Sequence, residues 1–266
     1  MSVIPKKVVE RFTQRVPKFQ KILKSAFSRD INESDTVMII EDMLTDIFSY
    51  DKYEEITSEY AIRNTYCDLA IKINDKIQFL IEVKSIGTKL KDEHLRQAID
   101  YGANHGAQWV LLTNSIDWQL YKIKFERPIS HELVTSINFL ELNPRKKDDQ
   151  EILFVLTKEG LGKSAREQYY ERVQCINRYV ISGLILSDPI LNTVKKYLKK
   201  LSEGIKIEDG EIEDIIKNEI IKRDVIDDEE FPKILSKMKK ITRTTSKSKK
   251  VKKQKTEANK ENLPDA

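Results

Sequence analysis

One stretch constrains this chain more than any other: Thr65 to Ser85, which reads TYCDLAIKINDKIQFLIEVKS. Its two apolar runs are short, rich in β-branched and aromatic residues, and joined by a polar Asn74–Asp75–Lys76 turn, the pattern of two paired strands. Each run also carries charge where a buried strand should not. Asp68 interrupts the first, and Glu82 with Lys84 interrupt the end of the second. Burying such groups alone costs several kcal/mol, so they must be paired, bound to a metal or directed at a cleft.

Side chains alternate along a strand, so Glu82 and Lys84 project together while Phe79, Ile81 and Val83 project oppositely. Whether Asp68 joins them depends on the turn. A three-residue loop pairs Ile73 with Ile77 and sets Asp68 opposite Glu82 on one face. A two-residue loop separates the acids by a whole sheet face, unless a bulge compensates. With the acids together, their oxygens suit a hard divalent cation such as Mg²⁺ or Mn²⁺, and Lys84 can polarise water or stabilise developing negative charge. The alternative is a structural salt bridge at a strand end.

The remaining elements build around this hairpin. Apolar positions Val8, Phe12, Val16, Phe19, Leu23 and Phe27 recur at helical spacing, with Pro17 expected to divide two helices. Asn32 reads as an N-cap for a helix burying Val37, Ile40, Leu44, Ile47 and Phe48, with Glu33 in its first turn. Strands are expected over 53–60, 65–73, 77–85, 108–114 and 117–123, with a further short run at 137–142. A helix at 90–105 separates the third from the fourth and turns Leu95, Ala98, Ile99 and Gly102 inward. The order predicts a three-layer α/β domain over residues 1–146, its central mixed sheet covered on both faces. Residues 147–235 read as a helical appendage, and 236–266 as a disordered basic tail.

Charge follows the same division. The chain is +4 overall, but residues 237–266 hold eleven Lys/Arg against three Asp/Glu, which leaves the preceding 236 residues at −4. Basic character for nucleic acid is therefore concentrated in the tail, where lysines can hold phosphates without sequence preference. Cys67 and Cys175 cannot form a disulfide framework, and there is neither a signal-peptide pattern nor an apolar run of membrane-spanning length. A soluble, cytoplasmic protein with no membrane partner is expected.

Asp68 followed after thirteen residues by Glu82-Val83-Lys84 resembles the bipartite motif of the PD-(D/E)XK nuclease superfamily. More closely, Asn32 to Tyr121 is similar to the N-terminal nuclease domain of type I restriction enzyme R (HsdR-like) subunits. The matching pieces are NESDT at 32–36, CDLAI at 67–71, IEVKS at 81–85, QAIDY at 97–101, and WVLLTN with DWQLY within 109–121. The resemblance implies a restriction-endonuclease-like fold and Mg²⁺-dependent cleavage of DNA. It makes Asp68 and Glu82 metal ligands and Lys84 catalytic, with Glu33 supporting the site and Gln97 and Tyr101 contacting DNA or ordering the site. Ser115 stands where relatives usually have Gly, and Cys67 replaces the usual Pro or apolar residue; neither removes a ligand. No motor is expected within this length, so a separate helicase or translocase subunit is a possible partner. The other reading of the chain is a nuclease-fold module that binds nucleic acid or a protein without cutting.

One motif competes. TKEGLGKS at 157–164 ends like a phosphate-binding loop, but Thr157 stands where the first glycine is needed. His94, His105 and His131 show no nucleophile or metal-ligand spacing; only His94 falls near a site position.

Overall fold

The computed structural model describes residues 3–62, 65–202, 204, 206–208 and 210–241. Two compact units emerge, one ending at Glu171 and the other beginning at Arg172. In the first, helices α1 (Lys6–Ser28) and α2 (Glu33–Asp46) precede strands β1 (Ile56–Ile62), β2 (Thr65–Ile73) and β3 (Lys76–Val83). Helix α3 (Asp92–His105) crosses to β4 (Trp109–Thr113), followed by β5 (Asp117–Lys124) and β6 (Ser130–Asn138). Helices α4 (Lys147–Val155), α5 (Lys158–Leu161) and α6 (Ala165–Cys175) complete the run.

The six strands form one mixed sheet in sequence order. Every neighbouring pair is antiparallel except β3 and β4, which are parallel and joined through α3. A parallel pair needs such a crossover because its second strand must restart at the same end as the first. Strand alternation supplies two cores. Leu69, Ile71, Phe79 and Ile81 pack with α1, α2 and α4, whereas Ala70, Leu80, Val110 and Leu112 pack with Leu95, Ala98 and Tyr101 of α3. The three-layer α/β arrangement expected from the sequence is present.

Four local expectations are corrected. Helix α1 is continuous through Pro17, because Val8, Phe12, Val16, Phe19 and Leu23 are all buried on one face. That packing outweighs the roughly 3 kcal/mol an interior proline costs. Ala26, not Phe27, finishes the buried stripe, and Phe27 is exposed. Strand β1 starts late because Asp51 Oδ1 accepts the Tyr53 and Glu54 amides, folding 51–54 into a turn. The sixth strand runs over Ser130–Asn138 instead of 137–142, with only Val134 and Ile137 buried among polar neighbours. A half-exposed edge strand leaves little apolar pattern to read.

The first unit also extends past the expected boundary at 146. Leu153, Phe154, Val155, Leu156 and Ala165 belong to the same core as α1 and α2. Arg11 reaches Glu159 in a bidentate pair at 2.8 and 2.9 Å, and Tyr50 donates to the Leu156 carbonyl at 2.8 Å. The phosphate-loop candidate resolves here as structure. Thr157 caps α5 by accepting the Gly160 amide at 2.9 Å, and any Cβ at Gly160 would overlap the Phe154 carbonyl oxygen. Glycine is required there by a close backbone approach.

In the second unit, helices Arg178–Ile185, Asp188–Leu201, Glu211–Ile215 and Arg223–Ile226 surround a small core of Leu186, Ile216, Ile221, Val225 and Phe231. Residues 230–241 are helical, so 236–241 do not begin a disordered tail: Phe231 and Met238 are buried at helical spacing. The rest of the expected tail, 242–266, lies outside the described residues.

Candidate active site

The Asn74–Asp75 turn has two residues, both at positive φ (50° and 60°), and pairs Ile73 with Lys76. Left uncorrected, that register would separate Asp68 from Glu82. The ladder shifts between Ile71 and Lys72: Lys72 faces Ile77, but Ile71 faces Phe79, and Gln78 is the extra residue. Beyond this bulge Leu69 pairs with Ile81, the last pair of the ladder, and that phase carried one residue outward sets Asp68 opposite Glu82. A two-residue turn plus one bulge thus gives the parity of a three-residue loop.

Side-chain contacts then fix the acids. Val83 N–H donates to Asp68 Oδ2 at 2.7 Å across the strands. Lys84 Nζ donates to Glu82 Oε1 at 2.8 Å and lies 3.6 Å from Glu33 Oε2 at the start of α2. Asn32 sets that helix end by accepting the Asp35 amide at 2.9 Å. The backbone of Lys84 continues the β3–β4 ladder through Thr113, which keeps its side chain directed from the strand end.

Glu82 is 3% exposed, and its Oε2 is buried without a hydrogen-bond partner. Burial, reinforced by the charge of Asp68, pushes its carboxyl up to about 7, although Lys84 opposes the shift. For Lys84, burial alone would lower the ammonium's pKa; the hydrogen bond to Glu82 and the charges of Glu82, Glu33 and Asp68 outweigh it and raise it. The site therefore holds a deficit of positive charge beside a buried carboxylate oxygen. Among the described residues no group of three His, Cys, Asp or Glu stands ready to hold a metal. A carboxylate pair with an unsatisfied buried oxygen nevertheless fits a hard divalent cation that keeps several waters.

A cavity of about 390 Å³ is lined by Glu33, Ser34, Val37, Glu41, Ser58 and Asp68. Glu41, which no motif or spacing singles out, accepts from Ser58 Oγ at 2.6 Å and pairs with Lys52 at 3.5 Å. Gln97 and Tyr101 are placed differently from one another. Gln97 is exposed on α3, whereas Tyr101 is buried against the sheet. His94 sits in the first turn of α3, where its Nδ1 accepts the Lys91 amide at 3.3 Å.

Residues 38–137 match the family of the type I restriction enzyme R protein N terminus (HSDR_N). The resemblance carried by the central motifs is upheld by that match. This R-protein-like segment spans α2 beyond its first turn, the hairpin, α3 and nearly all of β6. It is similar to the nuclease-like domain of a restriction enzyme. Asp68, Glu82, Lys84, Gln97 and Tyr101 fall inside it, while Glu33 lies outside and enters the site through its contact with Lys84. No curated protein and no solved structure gives a significant match. Among the described residues, no helix is long and apolar enough to cross a membrane.

Proposed function

We propose that this protein is a divalent-cation-dependent deoxyribonuclease that hydrolyses phosphodiester bonds in DNA. The observation that carries the reading is the bulge-corrected register, which sets Asp68 opposite Glu82 with Lys84 at the same strand end. Asp68 and Glu82 would hold Mg²⁺ or Mn²⁺. When bound, such a cation neutralises phosphate charge and lowers the pKa of a coordinated water.

The chain's own residues supply the rest. The Val83 amide orients Asp68 from the neighbouring strand. Glu82 keeps a buried, unsatisfied oxygen for the same purpose. Lys84, drawn between Glu82 and Glu33, holds a fixed positive charge where negative charge develops during attack on phosphorus. Glu33 tethers the ammonium from α2, and Tyr101 orders the α3 face of the sheet. Fixed donors of this kind cost little reorganisation at the moment of reaction.

The test is cleavage of plasmid and single-stranded DNA with and without Mg²⁺. Wild type should nick in Mg²⁺ and not in chelator, and Asp68→Ala and Lys84→Ala should each lose nicking while keeping the wild-type circular dichroism spectrum. Equal cleavage by wild type and both variants would sink the assignment. DNA binding without cleavage by the wild type would point instead to a non-cutting nuclease-fold module.

A further inference from the structure

We infer that Arg166, in α6 and outside the R-protein-like segment, is a positioning residue that pins the Gln78 bulge and so holds Asp68 opposite Glu82. The inference rests on the nuclease reading for what the acids do, but its structural part stands independently. A bulged residue drops out of the ladder and leaves its backbone groups in need of partners. Arg166 Nη1 donates to the Gln78 carbonyl at 2.6 Å, and Nη2 lies 3.5 Å from Gln78 Oε1. Gln78 Nε2 turns back to the Lys76 carbonyl at 3.3 Å, closing the hairpin tip.

The guanidinium is itself held tightly. Arg166 is 5% exposed and stacks over Phe79 at 4.3 Å and Trp109 at 5.0 Å. Phe79 follows Gln78 and is the residue at which the shifted register resumes. One side chain therefore grips the extra residue by its carbonyl and the next residue by its ring. Glu167 is the acid nearest the guanidinium, 3.9 Å from Nε.

The thirteen residues between Asp68 and Glu82 can absorb their odd residue elsewhere in the hairpin. Placed in the turn, it would make a three-residue loop and leave the acids aligned. Placed at or beyond the acids, it would put Asp68 out of phase with Glu82. A charge-assisted hydrogen bond from a rigid planar fork selects the position at Gln78. The burial of Leu69, Ile71, Phe79 and Ile81 favours the same phase, so Arg166 sharpens a register that the core already prefers.

The experiment follows two readouts that do not require cleavage: Mn²⁺ affinity by calorimetry, and the Val83 amide resonance, whose proton bonds Asp68 Oδ2. Arg166→Met should weaken Mn²⁺ binding by about tenfold or more, the scale of losing an outer-shell support, and should shift or broaden the Val83 resonance. Arg166→Lys, which keeps the charge but not the fork, should fall between. A second background moves the odd residue: Gln78 is deleted and one glycine is inserted in the Asn74–Asp75 turn. There the acids stay in phase without a bulge, and Arg166→Met should leave both readouts unchanged. Wild-type values in Arg166→Met, or equal losses in both backgrounds, would overturn the inference. If the wild type neither binds Mn²⁺ nor cuts DNA, the nuclease reading falls, and the Val83 resonance alone still decides the case for Arg166.

Discussion

At the scale of single residues, the site is defined by one atom that lacks what its neighbours have. Glu82 Oε2 is buried and unpartnered, while Glu82 Oε1 has the Lys84 ammonium and Asp68 Oδ2 has the Val83 amide. A ligand that binds the folded chain alone stabilises it, by about 2.7 kcal/mol at a hundredfold excess over Kd. Mn²⁺ should therefore raise the thermal midpoint of the wild type and leave that of Asp68→Asn unmoved, as scanning calorimetry with and without chelator will show. Ser115 is a second informative residue. Its φ is 72°, which explains why glycine suits this turn, and its hydroxyl is buried without a partner. Left-handed backbone costs an L-residue roughly 1–2 kcal/mol, and glycine returns part of that as chain entropy. Ser115→Gly should stabilise the protein by about 1 kcal/mol in urea denaturation, with no effect on cation affinity.

At the scale of elements, two helices show tertiary demands overriding local preference. Helix α1 keeps Pro17 because its buried stripe is continuous. Helix α5 exists because Thr157 caps it and Gly160 clears the Phe154 carbonyl. Gly160→Ala should cost about 2–3 kcal/mol by urea denaturation, since the added Cβ would overlap the Phe154 carbonyl and crowd the capping Thr157 hydroxyl. The pair between Arg11 and Glu159 ties α1 to α5. Burial would raise the Glu159 pKa, but the hydrogen bond and charge of Arg11 outweigh it and hold the carboxyl below its ordinary 4.5. A depressed folded pKa gives stability that is present above 4.5 and lost as pH falls below it. Glu159→Gln should remove that part of the acid dependence, so its stability should converge on wild type in acid and fall short of it at pH 7.

At the scale of the whole molecule, the boundary of the R-protein-like unit is set by burial instead of by composition. The sequence changes texture after Pro144, yet Leu153 to Leu156 and Ala165 fill the core beneath α1 and α2. A chain ended at 146 would expose that core, whereas one ended after Cys175 keeps it, together with Arg166. The shorter chain should show no cooperative thermal transition, and the longer one should melt cooperatively, by circular dichroism. Loss of the transition in both would place the boundary elsewhere.

What the sequence determined by itself is what local chemistry specifies. Strand alternation, the N-cap at Asn32, the tight turn at Asn114 and Ser115 and the spaced acids Asp68 and Glu82 can each be read from local sequence. The fold class followed from their order, because a helix between strands demands a crossover and two covered faces. The tertiary structure decided whether the acids meet. The two-residue turn alone argued against it, and the answer depended on a bulge at Gln78 whose carbonyl is satisfied from Arg166, eighty-eight residues away. No local pattern encodes that partner. The hairpin from Thr65 to Ser85 carries the charges, but a distant helix holds their phase.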